Sequence, residues 1–298
     1  MYKVNHIKHK TEKSNYLEVN NSDFGIYSRI DLNLGGSLQD LTINNEKIIT
    51  SENMIYEQHF NSAILFPFVN RLHSGIYNFK NKTYKLFKNK DDEGHAIHGL
   101  VYNKTFNMLS FAEQDNKLMI NLCYEEMEPD EGFPFKYSVF LTYIFQSNAL
   151  SLKVSVINED ENEFPFAIGW HPYFFNDDLH NSSLVLNRNA KIFFDERFNY
   201  KIDDAKNSSL KIVDNEFDDC YILESNEITL ETPTYSIKIE FSTDFNYVQV
   251  YIPKNRNFIA LEPQTGVANN FNNGLGLKTL KPSESFEKEW KITLLNTN

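Results

Sequence analysis

Cysteine and long apolar runs are both scarce in this chain of 298 residues, and each scarcity excludes a class of protein. Cys123 and Cys220 are the two cysteines, and without a CxxC spacing they support neither a disulfide framework nor a zinc knuckle. The apolar run at 63–69 is far shorter than the roughly 20 residues that cross a bilayer. Residues 1–20 contain no apolar segment of a secretory signal. We therefore expect a cytoplasmic protein that does not enter the membrane.

Basic residues are the minority among the charged residues. The chain has 29 Lys and Arg against 41 Asp and Glu, which gives a net charge of -12. This charge repels a phosphate backbone and leaves no electrostatic footprint for nucleic acid. We expect no nucleic-acid partner, and neutral or cationic small molecules as ligands.

Alanine is scarce as well, with 9 residues, whereas Asn (37), Phe (25) and Tyr (16) are abundant. The best helix former is thus replaced by turn formers and by aromatic residues that favour strands. Apolar and polar residues alternate in short segments along the whole chain, as in half-buried antiparallel strands. We predict strands at 28–34, 135–145, 150–156, 183–186, 235–241, 247–252 and 290–295. We predict turns at 44–45, 91–94 and 272–274.

Linkers, internal repeats and capped helical segments are not found between these strands. We therefore predict one all-β domain over residues 1–298, a sandwich of extended antiparallel sheets. The sequence also lacks GxSxG, GxxxxGK(S/T), GxGxxG after a strand, and CxxC. These absences argue against an α/β serine hydrolase, a P-loop NTPase and a Rossmann oxidoreductase.

Three polar residues lie in unusually apolar or aromatic segments, which makes them candidates for a functional site. Arg71 follows an apolar run, so its guanidinium must reach water, pair with a carboxylate or bind a ligand. Glu262 ends an apolar strand directly before Pro263, and a carboxylate held there by N–H donors or a cation is a candidate base. His171 precedes a proline, which favours an extended backbone, and its aromatic neighbours suit a sugar surface. A structural role in the core is equally open for His171.

Two further pairs of residues allow a functional and a structural interpretation. His95 and His98 have HxxH spacing, but a zinc site needs a third ligand, and residues i and i+3 of a strand point to opposite faces. We expect that these histidines do not share a site. Asp218 and Asp219 follow an acidic loop, where most such pairs are simply solvated.

The order and spacing of several short motifs resemble those of the aldose 1-epimerase (galactose mutarotase) family. The motifs are 34–38 (LGGSL), Asn70-Arg71, Gly75, 84–86 (YKL), His98-Gly99, 131–134 (EGFP), 171–174 (HPYF), 218–221 (DDCY) and 262–266 (EPQTG). The resemblance implies a β-supersandwich fold and an isomerase that interconverts the α and β anomers of a free aldose. It implies that neither a cofactor nor a metal is used. The implied partner is a monosaccharide, and the implied assembly is a monomer or a homodimer.

The resemblance also assigns roles to individual residues. Glu262 matches the catalytic base of the family and His171 its catalytic acid. The residues matched to sugar binding are Arg71, His98, Asn70 and Asp218, with Asp219 as an alternative shifted by one residue.

Two departures from the better-known galactose mutarotases leave the substrate open. Leu100 follows His98-Gly99 where those proteins have a second glycine, and Pro172 follows His171 where they often have serine. These features resemble a more divergent bacterial branch. The alternatives are a non-catalytic sugar-binding or sensor protein on the same fold and, from another class, a glycoside hydrolase or lyase. The presence of both the acid and the base favours the enzyme, because binding alone does not need both.

Overall fold

The computed structural model describes residues 1–9, 14–86, 93–213, 216–242, 247–254 and 256–295. Almost all of the regular structure in these ranges consists of β-strands, and the strands pair in antiparallel fashion. The predicted class, all-β with antiparallel sheets, is confirmed. Neither of the two short α-helices in these ranges has the length and apolar character needed to span a membrane.

The described residues form 25 strands and two short α-helices. An N-terminal five-stranded sheet contains, in spatial order, β1 (Lys3–His9), β2 (Ser14–Asn21), β3 (Ile26–Asp31), β4 (Ser37–Ile43) and β5 (Glu46–Ile49). The next strands are β6 (Ala63–Leu65), β7 (Arg71–Leu72), β8 (Ile76–Phe79), β9 (Lys82–Lys85), β10 (Ala96–Ile97), β11 (Asn107–Gln114), β12 (Lys117–Glu126), β13 (Tyr137–Gln146) and β14 (Ala149–Asn158). The remaining strands are β15 (Phe164–Phe166), β16 (Gly169–His171), β17 (Tyr173–Phe175), β18 (Ser183–Phe194), β19 (Tyr200–Lys211), β20 (Asp218–Glu231), β21 (Ser236–Phe241), β22 (Tyr247–Tyr251), β23 (Phe258–Gln264), β24 (Lys278–Leu280) and β25 (Ser285–Leu295). The helices are α1 (Tyr56–His59) and α2 (Asn270–Asn273), with 3-10 turns at His73–Gly75 and Leu179–Asn181.

The alternating segments found in the sequence coincide with strands, although their ends differ. The segment 150–156 lies inside β14, 290–295 lies inside β25, and 235–241 begins one residue before β21. The segments 135–145 and 247–252 match β13 and β22 to within two residues at each end. The segment 183–186 is only the start of β18, which has 12 residues.

Two predicted boundaries are corrected by local hydrogen bonds. The strand predicted at 28–34 stops at Asp31, because the Asp31 carboxylate accepts hydrogen bonds from the backbone N–H groups of Asn33 (2.9 Å) and Leu34 (3.2 Å) and closes a turn. Of the cluster predicted as a turn at 272–274, Asn272 and Asn273 belong instead to α2, and Gly274 caps that helix with φ 78°. Residues 44–45 form a hairpin turn as predicted, and of the turn at 91–94 the first two residues lie outside the described ranges.

The largest sheet has fourteen strands and curls back on itself. Its main path runs β11-β12-β13-β14-β25-β21-β20-β22-β23-β16-β6, and β18 and β19 join it through β20. Trp170 of β16 stacks on Trp290 of β25 with ring centroids 6.2 Å apart, although four strands separate β16 from β25 along the sheet. The sheet therefore encloses part of the core between its own faces.

The N-terminal sheet covers another part of the large sheet. Leu38 shares a core with Leu122 and Leu141, and all three are fully buried. Burying each of these side chains contributes on the order of 2 kcal/mol. The Tyr143 hydroxyl donates a hydrogen bond to the Gly36 carbonyl across the two sheets (2.7 Å). Sheet-on-sheet packing, as predicted, builds the core.

Candidate active site

Neighbouring strands of the large sheet carry polar side chains that form one row. In spatial order these strands are β20, β22, β23 and, both paired with β23, β16 and β17. The register of β23 with β16 and β17 places His171 opposite Glu262, and its register with β22 places Gln249 opposite Glu262 on the other side. Asp218 begins β20 opposite Tyr251, which lies two residues from Gln249 on β22. Residues directly opposite each other, and residues two apart on one strand, share a face of the sheet. The pairing of the strands therefore sets the spacing of this row.

A cavity of about 210 Å³ lies over this row. It brings together all six residues that the sequence nominated, namely Glu262, His171, Arg71, His98, Asp218 and Asn70. The structure thus brings these six residues together, while their roles remain a proposal.

The carboxylate and the imidazole at the bottom of the cavity are almost completely buried. Glu262 Oε1 lies 3.3 Å from His171 Nε2, and the two side chains are 3% and 5% exposed. Gln264 Nε2 donates a hydrogen bond to the other oxygen, Glu262 Oε2 (3.0 Å). The candidate acid and base are therefore adjacent, and the Gln264 side chain holds the carboxylate in place.

Burial moves the pKa values of this pair in opposite directions. It raises the pKa of Glu262 well above its ordinary value, and the negative charge of Asp218 adds to this, while the Gln264 hydrogen bond and Arg71 act the other way. Burial lowers the pKa of His171 to about 3. The acid role that the resemblance assigns to His171 requires a protonated imidazole. The Glu262 carboxylate lies 3.3 Å away, yet burial lowers the His171 pKa, so burial disfavours the charged form of both groups.

The segments that carry Asn70 and His98 are held in unusual backbone conformations. Both residues adopt the left-handed region, with φ 51° and 59°, and the His98 N–H donates to the Asn70 carbonyl (2.9 Å). Gly99 has φ 77°, and a Cβ there would lie 2.2 Å from the Phe66 carbonyl oxygen. Only glycine fits this position without displacing the chain. The His98-Gly99 motif is therefore required by the backbone that aims His98 into the cavity.

His98 presents a neutral imidazole to the cavity. Its ring lies between Phe60 (4.8 Å between centroids) and His171 (4.9 Å). Burial lowers the pKa of His98 well below its ordinary value, and the nearby charges of His171 and Arg71 act in the same direction. A neutral imidazole can donate one hydrogen bond and accept another, which suits a sugar hydroxyl.

The structure separates the two acidic candidates Asp218 and Asp219. Asp218 lines the cavity, where Gln249 Nε2 donates a hydrogen bond to its carboxylate (2.7 Å). Asp219 does not line this cavity, and its carboxylate is bound by Lys191 Nζ (2.7 Å) and the Tyr221 hydroxyl (2.9 Å). Neighbouring residues of a strand face opposite sides, so only one of them can point to the row. Asp218 is the candidate that the geometry favours.

His95 lies apart from His98, as expected. Its Nδ1 accepts a hydrogen bond from the Ser74 N–H (3.0 Å), and its ring lies against that of His73 (5.1 Å). Within the described ranges, no three His, Cys, Asp or Glu side chains are grouped to hold a metal ion.

Sequence reasoning missed two residues that line the cavity, Tyr173 and Gln249, and one that holds Glu262 from outside it, Gln264. Gln264 could have been found, because it lies two residues after Glu262 on the same strand face. Tyr173, whose ring stacks on His171 (5.0 Å, 19°), is detectable in the same way. Gln249 has no local signal, because only the pairing of β22 with β23 brings it opposite Glu262.

A separate cavity of about 300 Å³ lies elsewhere, beside Tyr102, Lys104 and Glu126. Three charged residues line it, Lys104, Glu126 and Asp130, and two of them pair with each other, with Lys104 Nζ 2.9 Å from Glu126 Oε2. None of the six nominated residues lines it. It is larger than the cavity over the row, but among the described residues no histidine lines it beside a carboxylate.

Comparison with known proteins points to one family. A family model described as aldose 1-epimerase matches residues 30–293. The uncharacterized protein YihR of Escherichia coli (strain K12) is 24% identical over 232 residues, which are 73% of this chain and 74% of that protein. A galactose mutarotase-like protein from Clostridium acetobutylicum superposes with a TM-score of 0.87 at 19% identity, covering 100% of this chain and 99% of that one. The galactose 1-epimerase from Lactobacillus acidophilus NCFM gives 0.81 at 15% identity, with coverage of 100% and 99%. The fold is thus galactose mutarotase-like, as predicted.

Proposed function

Because the chain belongs to the aldose 1-epimerase family, we propose that it is an isomerase that interconverts the α and β anomers of a free monosaccharide. The observation that carries this proposal is the buried pair of Glu262 and His171, 3.3 Å apart at the bottom of a cavity lined by polar side chains. The reaction opens and closes the sugar ring without any change in oxidation state.

The position of the pair matches what the reaction requires. A base must take the proton of the C1 hydroxyl while an acid protonates the ring oxygen. Both of these oxygens are bonded to C1, so the acid and the base must be adjacent. A glycoside hydrolase normally uses two carboxylates on either side of the bond it cleaves, whereas the group beside Glu262 is an imidazole. This arrangement supports the isomerase over the hydrolase.

In the proposed mechanism the pair carries one proton in total, and the reacting form is the one in which His171 holds it and Glu262 is ionised. Glu262 takes the proton of the C1 hydroxyl, and His171 gives a proton to the ring oxygen. The C1–O5 bond breaks, and the open aldehyde rotates about C1–C2. When the ring closes on the other face, His171 takes the proton back and Glu262 returns one to the new C1 hydroxyl. The pair ends as it began, with the same single proton.

The other polar side chains of the cavity hold the sugar in place. Arg71 donates hydrogen bonds, Asp218 accepts them, and His98 can do either. Asn70 supports the Arg71 backbone through its Oδ1, which accepts a hydrogen bond from the Arg71 N–H (2.8 Å). Positioning of this kind keeps C1 over the acid and base.

The remaining elements of the proposal follow from the same groups. Both reacting groups are side chains of this chain, so the reaction needs neither a metal nor a redox cofactor. Cys123 and Cys220 are buried free thiols, which is compatible with a reducing cytoplasm. We propose a cytoplasmic enzyme that is a monomer or a homodimer.

The decisive test is Glu262→Gln, which keeps the shape of the side chain and removes the base. We expect anomer exchange, followed by polarimetry or NMR saturation transfer, to fall about 10²–10⁴-fold. Binding of the sugar, measured by calorimetry, should change much less. The matched control is Glu224→Gln, at an exposed carboxylate of β20, which should leave both measurements unchanged.

Two further variants separate chemistry from binding. His171→Asn should also lower kcat, whereas Arg71→Ala should mainly raise KM, because its contacts are made in the ground state and the transition state alike. If the wild-type protein binds an aldose but accelerates anomer exchange no more than Glu262→Gln does, the protein is a sugar sensor and the proposed activity is wrong.

A further inference from the structure

The cavity of about 300 Å³ that lies apart from Glu262 and His171 is here called the second cavity. Its walls are formed by the segment after β10, the end of β12 and the residues that lead into β13. The aromatic and apolar side chains of its lining are Leu100, Tyr102, Phe133 and Tyr137. Small-molecule sites combine a lining of this kind with a few polar groups that fix the orientation of the ligand.

The Tyr137 side chain is buried, but its hydroxyl has no partner within the described part of the protein. Tyr137 is 1% exposed, and its ring packs against those of Phe66 (4.9 Å between centroids) and Phe133 (6.0 Å). Among the described residues, none forms a hydrogen bond with the Tyr137 hydroxyl. A buried hydroxyl without a partner costs free energy, so this one requires a polar group inside the second cavity.

Tyr143, six residues further along β13, shows the usual arrangement of a buried tyrosine. It is fully buried, and its hydroxyl donates a hydrogen bond to the Gly36 carbonyl (2.7 Å). Tyr137 and Tyr143 lie on the same face of the strand, because an even number of residues separates them. The two tyrosines are therefore a matched pair that differs in whether the protein binds the hydroxyl.

The Tyr137 hydroxyl stays protonated, so it can donate a hydrogen bond as well as accept one. Burial raises the pKa of Tyr137 well above its ordinary value, and Tyr124, Glu126 and Asp130 act in the same direction. Glu126 and Asp130 also line the second cavity, so the hydroxyl end of Tyr137 lies on the side of the cavity.

The charged groups of the second cavity favour an uncharged ligand. Lys104 Nζ is bound to Glu126 Oε2 (2.9 Å) and lies over the Tyr124 ring (5.4 Å to the centroid). An anion would meet the carboxylates of Glu126 and Asp130, and a cation would compete with Lys104 for Glu126. A sugar hydroxyl can donate a hydrogen bond to a carboxylate oxygen without displacing the lysine.

Ring contacts connect the second cavity to the active-site cavity, which contains Glu262 and His171. Tyr102 lines the second cavity, and its ring meets that of Phe60 edge-on (5.2 Å, 72°). Phe60 lines the active-site cavity, where its ring lies 4.8 Å from that of His98. A ligand that moves Tyr102 therefore acts on His98 through one intervening ring.

We propose that the second cavity is a non-catalytic binding site for an uncharged sugar ring, and that a sugar held there changes the turnover rate through Tyr102 and Phe60. The C–H face of the sugar packs on the aromatic lining, and one hydroxyl group pairs with Tyr137. The effect on turnover rests on the proposed function, whereas the binding does not.

Stability measurements test whether the Tyr137 hydroxyl is available to a ligand. Tyr137→Phe removes a hydroxyl that the protein does not bind, so the urea midpoint without sugar should stay the same or rise. Tyr143→Phe, the matched control, should lower the midpoint, because it breaks the hydrogen bond to Gly36. Equal decreases in both variants would show that the protein itself binds the Tyr137 hydroxyl, which overturns the proposal.

Calorimetry with methyl α-glucoside and methyl α-galactoside, whose rings cannot open, measures binding without turnover. Asp218→Ala weakens binding in the active-site cavity, so the binding that remains in this variant reports on the second cavity. Adding Tyr137→Phe should weaken the remaining affinity for at least one glycoside about five- to tenfold, and adding Tyr143→Phe should not. Glucose 6-phosphate and glucosamine, the charged probes, should bind Asp218→Ala more weakly than glucose does.

Three results of this experiment would overturn the site. They are the absence of glycoside binding in Asp218→Ala, an affinity that Tyr137→Phe does not alter, and a preference for either charged probe.

Kinetics test the effect on turnover. A methyl glycoside bound only in the active-site cavity would raise the KM for glucose or galactose and leave kcat unchanged. Binding in the second cavity should also change kcat, by about twofold or more. Tyr137→Phe should remove that change and Tyr143→Phe should keep it, whereas a purely competitive pattern would reject the effect on turnover.

The two sets of measurements separate this inference from the proposed activity. Binding in the second cavity without catalysis of any aldose would support the site and reject the isomerase. Catalysis of an aldose by a protein with a single class of binding site would do the reverse.

Discussion

At the scale of single residues, the ionisation of the proposed catalytic pair, Glu262 and His171, is the property that the sequence could not provide. The position of Glu262 before Pro263 and that of His171 before Pro172 were sufficient to nominate both residues. Their protonation depends on how deeply they are buried, and that depth is set by strands distant in the chain. Desolvation acts on both groups and pushes each toward its uncharged form.

This burial predicts an unusually broad pH profile. The reaction needs one proton on the pair, so activity is lost when both groups are protonated and again when both are deprotonated. The lower limit is set by the depressed pKa of His171, about 3, and the upper limit by the raised pKa of Glu262. kcat/KM should therefore be nearly constant from about pH 4 up to the raised carboxyl pKa and fall only above it.

The measurement is kcat/KM by polarimetry from about pH 4 to about pH 10, corrected for spontaneous mutarotation. An acidic limb centred near the ordinary imidazole pKa of about 6.5 would contradict the proposed effect of burial. The residual activity of Glu262→Gln should lack the alkaline limb, which assigns that limb to the carboxyl group.

At the scale of elements, strands in which apolar and polar residues alternate regularly were detectable in the sequence. Strands in which that alternation is interrupted were detected only in part. β21 keeps strict period-2 burial, β14 does so from Leu152 onward, and both were recognised. β18 was predicted only up to residue 186, because the polar run Asn187-Arg188-Asn189 interrupts the apolar alternation of the sequence. Burial continues to alternate on both sides of this run, where the register with β20 shifts, but the sequence pattern no longer shows it.

The turn at Gly99, just after β10, gives a prediction for both stability and activity. Gly99→Ala should lower the free energy of unfolding by about 2–4 kcal/mol, because the new Cβ would collide with the Phe66 backbone. It should also lower kcat/KM, because His98 would be displaced. Urea denaturation and steady-state kinetics measure the two effects.

Gly94→Ala is the matched control for this substitution. Gly94 has the same left-handed backbone, with φ 82°, but no atom of the described residues lies within 4 Å of an added Cβ. Only the conformational cost, about 1 kcal/mol, should remain. Equal losses in the two variants would show that the collision at Gly99 is unimportant.

At the scale of the whole molecule, the sandwich class was predictable and the order of its strands was not. Composition and alternation indicate sheets that pack on each other. The pairing of β16 with β23 joins residues about ninety positions apart, and no local pattern specifies such a partner. The active-site row depends on that pairing, so its members could be named from the family resemblance but not placed by periodicity.

We predict that residues 1–298 unfold as one unit, which keeps the single-domain interpretation as a testable proposal. β25, the last described strand, lies between β14 and β21 inside the large sheet, so the two ends of the sheet depend on it. Tryptophan fluorescence, which reports on Trp170 and Trp290, should change at the same urea concentration as far-ultraviolet circular dichroism. Two separate transitions would mean that the chain contains independent domains.

The Glu262–His171 pair and the hairpin between β18 and β19, whose Phe198 lines a cavity beside Arg71 and Asp218, are anchored differently, and this has a consequence for protein engineering. Glu262 and His171 are fixed by backbone pairing within a large sheet, whereas Phe198 sits on a hairpin tip that one carboxylate, that of Asp195, organises. A hairpin tip tolerates exchanges, insertions and deletions that a central strand does not. Randomising 195–199 alone is therefore the economical way to seek new substrate ranges, because every member of such a library keeps the reacting pair intact.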